Sequence, residues 1–338
     1  MRPHRIAIAG FGNVGQAVAQ LIAEGHPSAA GVVITGVSDP RFGTLASDVP
    51  FDATELLERA AAGGFAALGG YGSEAGVLEM IESVKADTLV ELTFTDLETG
   101  EPATTHVRRA IEAGLNVSTT NKGPIALNYG ELRDLAEAKG VALAFEGTVM
   151  SGSPAVGLAM TIRDAGCTGA LGILNGTTNY IITRMESGVS YEDALSEAQE
   201  HGYAEADPTG DVEGHDAAGK LTILAQVLAE APIPIGDVGR VSLATVSPED
   251  IAEADENGER WRYIGTLEER DGQWSASVAP KRLPASHPLA AITGATNAIT
   301  FRTDLLGDVT ISGPGAGRSE TAFAVISDLR RIERARRN

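Results

Sequence analysis

The sequence predicts a mixed α/β protein in which a doubly wound parallel sheet is followed by a second domain of α+β type. Apolar, strand-like runs alternate with helical segments as far as about residue 145, an order typical of a parallel sheet with helices on both faces. Beyond about residue 260, strand-like runs follow one another instead, which favours antiparallel pairing. The length of 338 residues suits two domains, since one domain takes roughly 100–200 residues.

The chain opens with a strand, a glycine-rich turn, a helix and a second strand. Residues 5–9 form the first predicted strand, 16–24 the helix and 32–39 the second strand, and the turn reads Gly10-Phe11-Gly12-Asn13-Val14-Gly15. This order is that of the βαβ unit of a Rossmann-type dinucleotide-binding sheet. The first glycine allows the tight turn, the second lets the backbone approach a pyrophosphate, and the third permits close helix packing. The alternative is a glycine-rich turn that binds nothing.

The end of the second strand bears on the choice of dinucleotide. Asp39 there can accept hydrogen bonds from a ribose 2′-hydroxyl, which points to NAD, whereas Arg41 can meet a 2′-phosphate, which points to NADP. Either side chain could instead belong to a simple turn beside Pro40. The sequence leaves the two cofactors open.

The other elements of the first domain follow from short apolar runs and helix-stop signals. Residues 40–75 are rich in Ala and Gly and poorly periodic, with one helix predicted near 52–62. A buried strand at 87–92 ends at Thr93. The remaining predictions are a helix at 104–113, a strand at 116–119, a helix at 129–139 that stops at Gly140, and a strand at 141–145.

The second half carries a different pattern. Helices are predicted at 154–163, 178–187, 190–200 and 215–229, strands at 170–174, 261–268, 273–280 and 299–301, and a final amphipathic helix at 320–334. This order predicts a dinucleotide-binding domain at 1–148, joined by the C-terminal helix 314–338, and a substrate-binding and dimerisation domain at 149–313.

The net charge of −20 restricts the possible partners. It argues against nucleic acid, whose phosphates would be repelled, and against anionic membrane surfaces. Only five of the 26 basic residues are lysines. High negative charge with few lysines is typical of halophilic adaptation, in which a salty cytoplasm screens self-repulsion. The alternative is an ordinary acidic protein of a low-salt cell.

The dependence of stability on salt separates these two interpretations. A halophilic chain is expected to unfold at a higher temperature in concentrated KCl than in dilute buffer, because counterions screen the repulsion among its carboxylates. Thermal unfolding followed by circular dichroism over a KCl series measures this. An unfolding temperature that stays constant or falls as KCl rises would favour the ordinary acidic protein.

We expect a cytoplasmic location. No apolar run is long enough to span a bilayer, and the first residues show no secretory signal. The single cysteine, Cys167, excludes an internal disulfide framework and a cysteine-rich metal site. The six histidines show no metal-ligand spacing.

The acidic segment 202–221 carries the strongest chemical signal. Its five carboxylates accompany one lysine, Lys220, which opens an apolar run. Asp216 and Lys220 are four residues apart, so on a helix they share one face. Such a pair can hold a charged small molecule and deliver a proton to it.

Three other segments are candidates for ligand contact. Lys122 follows the predicted strand 116–119 at the carboxyl edge of the sheet, where ligands bind in open α/β sheets; the alternative is a surface turn. Glu146 lies in a loop that suits a hard cation, unless the loop is only a hinge. The glycine-rich loop 313–317 can approach a phosphate or nicotinamide closely, or simply connect back to the first domain.

Taken in order, these motifs resemble homoserine dehydrogenase from Arg5 to about Leu329, nearly the whole length. The glycine turn is common to many dehydrogenases, whereas Asn-Gly-Thr-Thr-Asn-Tyr at 175–180 and Glu-Ala-Asp-Pro at 205–208 are far more specific. The other matching segments are Thr120-Asn121-Lys122, Glu213-Gly214-His215-Asp216, Lys220-Leu221, Gly313-Pro314-Gly315-Ala316-Gly317 and Ala324-Val325-Ile326-Ser327-Asp328-Leu329.

The resemblance implies NAD(P)-dependent interconversion of L-homoserine and L-aspartate 4-semialdehyde, a step of threonine and methionine biosynthesis. In that family the lysine at the place of Lys220 is the acid/base candidate, and the one at Lys122 lies near nicotinamide and substrate. The carboxylates that match Glu205, Asp211 and Asp216 bind or orient the amino acid.

The resemblance also implies where the bound groups lie. The cofactor would contact Gly10, Phe11, Gly12, Asn13, Val14, Gly15, Asp39, Arg41, Thr93, Lys122 and Gly317. The segment with Glu146, Val149, Ser151 and Ser153 resembles the family's monovalent-cation loop, which holds Na⁺ or K⁺ largely through backbone carbonyls. A homodimer is expected. We expect neither a C-terminal regulatory domain nor a fused kinase domain, and therefore no feedback control through an appended domain.

Three rival functions remain. Aldehyde dehydrogenases with the same type of sheet work through a cysteine thioester and need a placed Cys/His pair, which Cys167 does not supply. A sugar or inositol dehydrogenase fits the acidic segment less well than an enzyme with an amino-acid substrate. The rival of a different class is a sensor that binds the cofactor but transfers no hydride.

Overall fold

The computed structural model describes residues 2–66, 76–229 and 233–336. The chain divides into two compact units. Unit 1 contains Met1–Thr148 and Gly317–Asn338, and unit 2 contains Val149–Ala316. The part of the predicted aperiodic region at 67–75 lies outside the described residues.

Unit 1 is built on a six-stranded sheet in the order β3-β2-β1-β4-β5-β6. Its strands are β1 (His4–Ala9), β2 (Val32–Asp39), β3 (Gly43–Phe51), β4 (Thr88–Glu91), β5 (Asn116–Thr119) and β6 (Leu143–Ala144). Neighbouring strands are parallel except β2 and β3, which are antiparallel. The predicted doubly wound sheet is confirmed.

Helices cover both faces of this sheet, as the alternation of apolar residues in β1 requires. Ile6 and Ile8 belong to one buried cluster, and Ala7 and Ala9 to another, because successive side chains of a strand point to opposite faces. The helices between the strands are α1 (Asn13–Ala23), α2 (Ala53–Ala61), α3 (Val77–Ser83), α4 (Ala103–Glu112) and α5 (Lys122–Lys139).

Three of these elements differ from the prediction. β3 and α3 lie in or beside the segment expected to hold little regular structure. β3 is an edge strand with only two buried residues, and Asp48 and Pro50 interrupt its apolar pattern. α5 begins seven residues before the predicted 129, because Asn121 caps it by accepting a hydrogen bond from Gly123 N. Pro124 is then in the first turn, where its missing N–H costs nothing. Gly140 ends the helix in the left-handed conformation, as predicted.

Unit 2 contains a second six-stranded sheet in the order β12-β11-β7-β9-β10-β8. After α6 (Gly147–Met150), its helices are α7 (Ala155–Ile162), α8 (Gly176–Glu186), α9 (Tyr191–Glu200), α10 (Thr209–Val212), α11 (His215–Leu228) and α12 (Pro248–Glu256). Its strands are β7 (Cys167–Ile173), β8 (Gly239–Arg240), β9 (Glu259–Arg270), β10 (Gln273–Pro284), β11 (Thr296–Thr303) and β12 (Gly307–Pro314). All pairs are antiparallel except β8 with β10. The α+β prediction is confirmed.

The segment before the last helix was only partly predicted. Gly313 and Pro314, expected to start a glycine-rich loop and the returning helix, instead end β12. α13 (Arg318–Ala335) begins later and belongs to unit 1. Val325 and Leu329 of α13 are fully buried in the same cluster as Ile6 and Ile8, so this helix completes one face of the first sheet.

Within the described residues, no helix is long and apolar enough to cross a membrane.

Candidate active site

The glycine turn of unit 1 has the geometry that a bound pyrophosphate needs. Gly10 has φ +90°, and a Cβ added there would lie 2.6 Å from the carbonyl oxygen of Leu92. A Cβ on Gly15 would overlap the carbonyl oxygen of Gly10. Gly12 caps α1 without a side-chain hydrogen bond, so the first N–H groups of the helix are available to an anion. The residues present therefore fit a dinucleotide.

Asp39 and Arg41, which the sequence presents as alternatives, bind each other. The guanidinium donates from Nε to Oδ1 and from Nη2 to Oδ2 of Asp39, both at 3.0 Å. Phe11 N also donates to Oδ2 at 2.8 Å. Burial alone would raise the pKa of the Asp39 carboxyl, but the hydrogen bonds from Arg41 and Phe11 outweigh it and hold the pKa below its ordinary value. The carboxylate is thus ionised beside the glycine turn.

A network of hydrogen bonds around Glu91 and Asn121 joins the ends of β4 and β5 at the carboxyl edge of the sheet. Glu91, fully buried, accepts from Thr93 N at 3.2 Å. Asn121 Nδ2 donates to the Thr93 carbonyl at 3.1 Å, while its Oδ1 accepts from Gly123 N at 3.0 Å. Lys122, the first residue of α5, is half-buried. These hydrogen bonds fix the backbone at Thr93 and Lys122 at the edge where the sequence predicts cofactor contact.

The last predicted cofactor residue of unit 1, Gly317, precedes α13. It has φ +132°, a conformation that L side chains rarely adopt, and its carbonyl accepts from Thr321 Oγ1 at 2.6 Å. A side chain at position 317 would overlap Glu320. Only glycine therefore fits at position 317, directly before α13.

In unit 2 the structure brings Lys220, Asp211 and Asp216 together. Lys220 is 7% exposed in the middle of α11. Its ammonium donates to Asp216 Oδ2 at 2.7 Å, confirming the shared helix face, and to the Leu174 carbonyl at 2.6 Å. Within the described part of the chain, these two bonds use two of its three N–H groups, which leaves one for a ligand.

Asn175 joins the two aspartates of this cluster. Its Nδ2 donates to Asp211 Oδ1 at 2.6 Å and to Asp216 Oδ2 at 3.1 Å. Burial raises the pKa of the Asp211 carboxyl; the Asn175 hydrogen bond opposes this shift, and the negative charge of Asp216 adds to it. Sequence reasoning included Asn175 only in a family motif. No local signal marks it, since its partners lie 36 and 41 residues away.

Glu205 is not brought into this cluster. The residue is exposed, and its carbonyl accepts from Gln199 Nε2 at 3.0 Å. Its part in substrate binding stays a prediction.

The predicted cation loop starts in unit 1 with Glu146. This carboxylate is 2% exposed and accepts from Arg331 Nη2 at 2.8 Å. The backbone N–H of Glu146 donates to Asp328 Oδ2. Burial raises the pKa of the Asp328 carboxyl to about 7; the positive charge of Arg331 opposes this shift, and the negative charge of Glu146 adds to it. Because an arginine already neutralises the Glu146 carboxylate, this side chain is a weaker ligand for a cation than the sequence suggests.

The rest of the loop lies in unit 2 and is largely occupied by internal contacts. Ser153 Oγ donates to the Pro314 carbonyl at 3.0 Å, and the Ser153 carbonyl accepts from Ala155 N at 2.7 Å. Val149 and Ser151 are buried, and Ser151 has φ +51°. A monovalent cation at these residues stays a prediction.

Cys167 does not have the surroundings of a nucleophile. Burial raises the pKa of its thiol, whereas a reactive cysteine needs a lowered pKa. A raised pKa disfavours the thiolate, and with it the thioester chemistry of the aldehyde dehydrogenase rival at this side chain.

Comparisons with known proteins show the family of the chain. Residues 10–146 match the family described as homoserine dehydrogenase, NAD binding domain, and residues 158–329 match homoserine dehydrogenase. A protein of Pseudomonas canavaninivorans named NAD(+)-dependent homoserine dehydrogenase is 45% identical over 343 residues, which cover 99% of this chain and 97% of that protein. The chain belongs to the homoserine dehydrogenase family.

Other homoserine dehydrogenases support the assignment over both units. That of Sulfurisphaera tokodaii is 35% identical, covering 98% of this chain and 99% of that protein. A crystal structure of a homoserine dehydrogenase from Thiobacillus denitrificans has a TM-score of 0.85 at 29% identity, covering 100% of this chain and 74% of that chain. A hyperthermophilic archaeal homoserine dehydrogenase in complex with NADPH has a TM-score of 0.84 at 31% identity, covering 98% of each chain.

Family membership confirms the activity that the sequence predicts. The chain is an NAD(P)-dependent oxidoreductase that acts on a CH–OH group, interconverting L-homoserine and L-aspartate 4-semialdehyde.

Proposed function

We propose that Lys220 is the acid/base residue of this homoserine dehydrogenase reaction. The observation that supports it is a nearly buried ammonium that has two fixed partners among the described residues and a third N–H that those two bonds do not use. When the aldehyde is reduced, negative charge develops on the carbonyl oxygen as hydride reaches the neighbouring carbon. A positioned ammonium stabilises that charge and donates the proton. In the oxidative direction the same amine must accept the proton of the hydroxyl group.

Asp211 and Asp216 are proposed to bind the amino-acid part of the substrate. Homoserine and the semialdehyde both carry an α-ammonium, and two carboxylates with a single lysine leave the cluster with excess negative charge. Asp216 also orients Lys220 through their 2.7 Å bond. Glu205 would add a third carboxylate from the exposed segment that precedes α10.

The dinucleotide is proposed to bind unit 1, with its pyrophosphate against Gly10–Gly15 and the N-terminus of α1. The nicotinamide supplies the hydride chemistry. The nicotinamide end would be held by Thr93, Lys122 and Gly317, since the hydrogen bonds around Glu91 and Asn121 fix the first two at the sheet edge.

A direct assay tests the function. Wild-type protein with homoserine and either NAD or NADP is expected to produce the reduced cofactor, followed by its absorbance. Cofactor binding without turnover would instead support the sensor rival.

NAD is the proposed preferred cofactor. Asp39 is ionised, buried and held by Phe11 N, so its fixed negative charge disfavours a 2′-phosphate and suits a ribose 2′-hydroxyl. Arg41 is drawn into pairing with Asp39. The Pseudomonas canavaninivorans relative is named for NAD(+).

Asp39→Asn is expected to lower the ratio of kcat/KM for NAD to that for NADP by roughly tenfold or more, since a charged hydrogen bond contributes about 1.5–3 kcal/mol. Parallel assays with both cofactors measure the ratio. Asp48→Asn is the matched control, because Asp48 is an exposed carboxylate on the adjacent strand β3, and its ratio should equal that of wild type. A wild-type enzyme that prefers NADP would contradict the proposal.

We also propose a homodimer formed through unit 2. Antiparallel sheets of this kind can present one face to a partner, and two-fold dimers are the commonest closed assembly. Light scattering after gel filtration is expected to give twice the mass of one chain, independent of dilution over the working range. A mass equal to one chain would exclude the dimer.

A further inference from the structure

We infer that Asn175 is a positioning residue that sets the relative orientation of Asp211, Asp216 and Lys220. The inference rests on the roles proposed for those three side chains. It starts from the end of β7, where two consecutive residues hold the whole cluster: the Leu174 carbonyl accepts from Lys220, and the Asn175 amide donates to both aspartates.

The orientation of the Asn175 amide is fixed by chemistry. Its Oδ1 accepts from Thr178 N at 2.9 Å and thereby caps α8. Nδ2 must then face the aspartates, because the flipped amide would place a carbonyl oxygen against two carboxylates and lose the cap. At 6% exposure, water cannot readily replace these bonds. A single side chain therefore ties the start of α8 to Asp211 and to Asp216.

The two N–H groups of this amide bind the two carboxylates in the way that a cation beside Lys220 otherwise would. The charged groups that face Asn175 are Asp211 of α10 and Asp216 of α11, with Lys220 bonded to Asp216. A neutral amide donates one N–H to each carboxylate and so lets the two anions stay close without cancelling the charge that attracts the α-ammonium. It also holds Asp216 Oδ2 at the position where Lys220 reaches it.

Asn175→Asp separates this role from helix capping. The new carboxylate can still accept from Thr178 N, but it offers no donor to Asp211 or Asp216. We expect kcat/KM for homoserine to fall roughly ten- to hundredfold, as for a buried hydrogen bond lost from a reacting group, with KM for the cofactor unchanged. The acidic limb of the kcat/KM profile should move to higher pH, because loss of a donor and gain of a like charge both disfavour ionised carboxylates.

Ser190→Ala is the matched control for capping. Ser190 caps α9 by accepting from Asp193 N and is outside the cluster, so its loss is expected to lower stability without moving the pH profile. If N175D does not fold, Asn175→Ser serves instead, since a hydroxyl can cap α8 but cannot bridge both aspartates.

The outcomes distinguish the inference from the proposed function. An active wild-type enzyme whose N175D or N175S variant keeps kcat/KM and the position of the acidic limb would overturn the positioning role alone. A loss of activity that is equal at every pH would overturn it too, because a purely structural defect has that signature. A wild-type protein that binds cofactor but does not oxidise homoserine would overturn both.

Discussion

Lys220→Ala is expected to lower kcat for homoserine oxidation by roughly 10²-fold or more, the usual contribution of a positioned proton donor or acceptor. The side chain is nearly buried, and its ammonium reaches Asp216 and the Leu174 carbonyl at normal hydrogen-bond distances. Removing it takes away both the proton carrier and the charge that stabilises the developing oxyanion. Steady-state assays with saturating cofactor measure the effect.

A second substitution divides these two contributions. Lys220→Arg keeps a positive charge, but a guanidinium does not release its proton at working pH. We therefore expect oxidation of homoserine to remain strongly impaired in K220R. Lys139→Ala, at the exposed end of α5, is the control for loss of a lysine. Near-normal turnover in a folded K220A variant would refute the acid/base role.

Gly10→Ala is expected to produce the other large effect, a severe loss of cofactor-dependent activity. Gly10 has φ +90°, and a Cβ there would lie 2.6 Å from the Leu92 carbonyl oxygen. The backbone at the end of β4 must shift to make room, and a displacement of about 1 Å can cost roughly 10²-fold in rate. KM for the cofactor should rise, and the unfolding temperature should fall.

The matched control for this prediction is Gly25→Ala. Gly25 also has a positive φ, +63°, but nothing lies within 4 Å of the position that its Cβ would take. G25A therefore carries the conformational cost, on the order of 1 kcal/mol, without the steric overlap. If G10A and G25A behave alike, the close approach of Gly10 to Leu92 has no role in cofactor binding.

Most of the fold was open to prediction because its signals are local. The glycine turn between two short apolar runs specifies a strand–turn–helix–strand unit whatever follows it, and β5 was predicted at its observed bounds, Asn116–Thr119. The edge strands β3 and β12 were missed. Asp48 and Pro50 interrupt the apolar residues of β3, and β12 has only two apolar positions before its glycine, Val309 and Ile311, so neither strand carries the longer apolar run that identifies a buried strand.

The candidate site likewise contains some pairs that the sequence predicts and others that it does not. Asp216 and Lys220 could be paired from their spacing alone, since residues four apart share a helix face. The pairing of Asp39 with Arg41 was not predictable, because it depends on how the side chains turn after β2. Glu146 was predicted to suit a cation, but its carboxylate is held by Arg331, a partner 185 residues away that no local pattern reveals.

The sequence by itself determined the dinucleotide-binding unit, the two-domain order of elements and the lysine–aspartate pair on α11, because each depends on residues within a few turns of one another. Only the tertiary structure decided that Asn175 bridges Asp211 and Asp216. Those bonds join residues 36 and 41 positions apart, and such contacts exist only after α8, α10 and α11 have packed beside the end of β7.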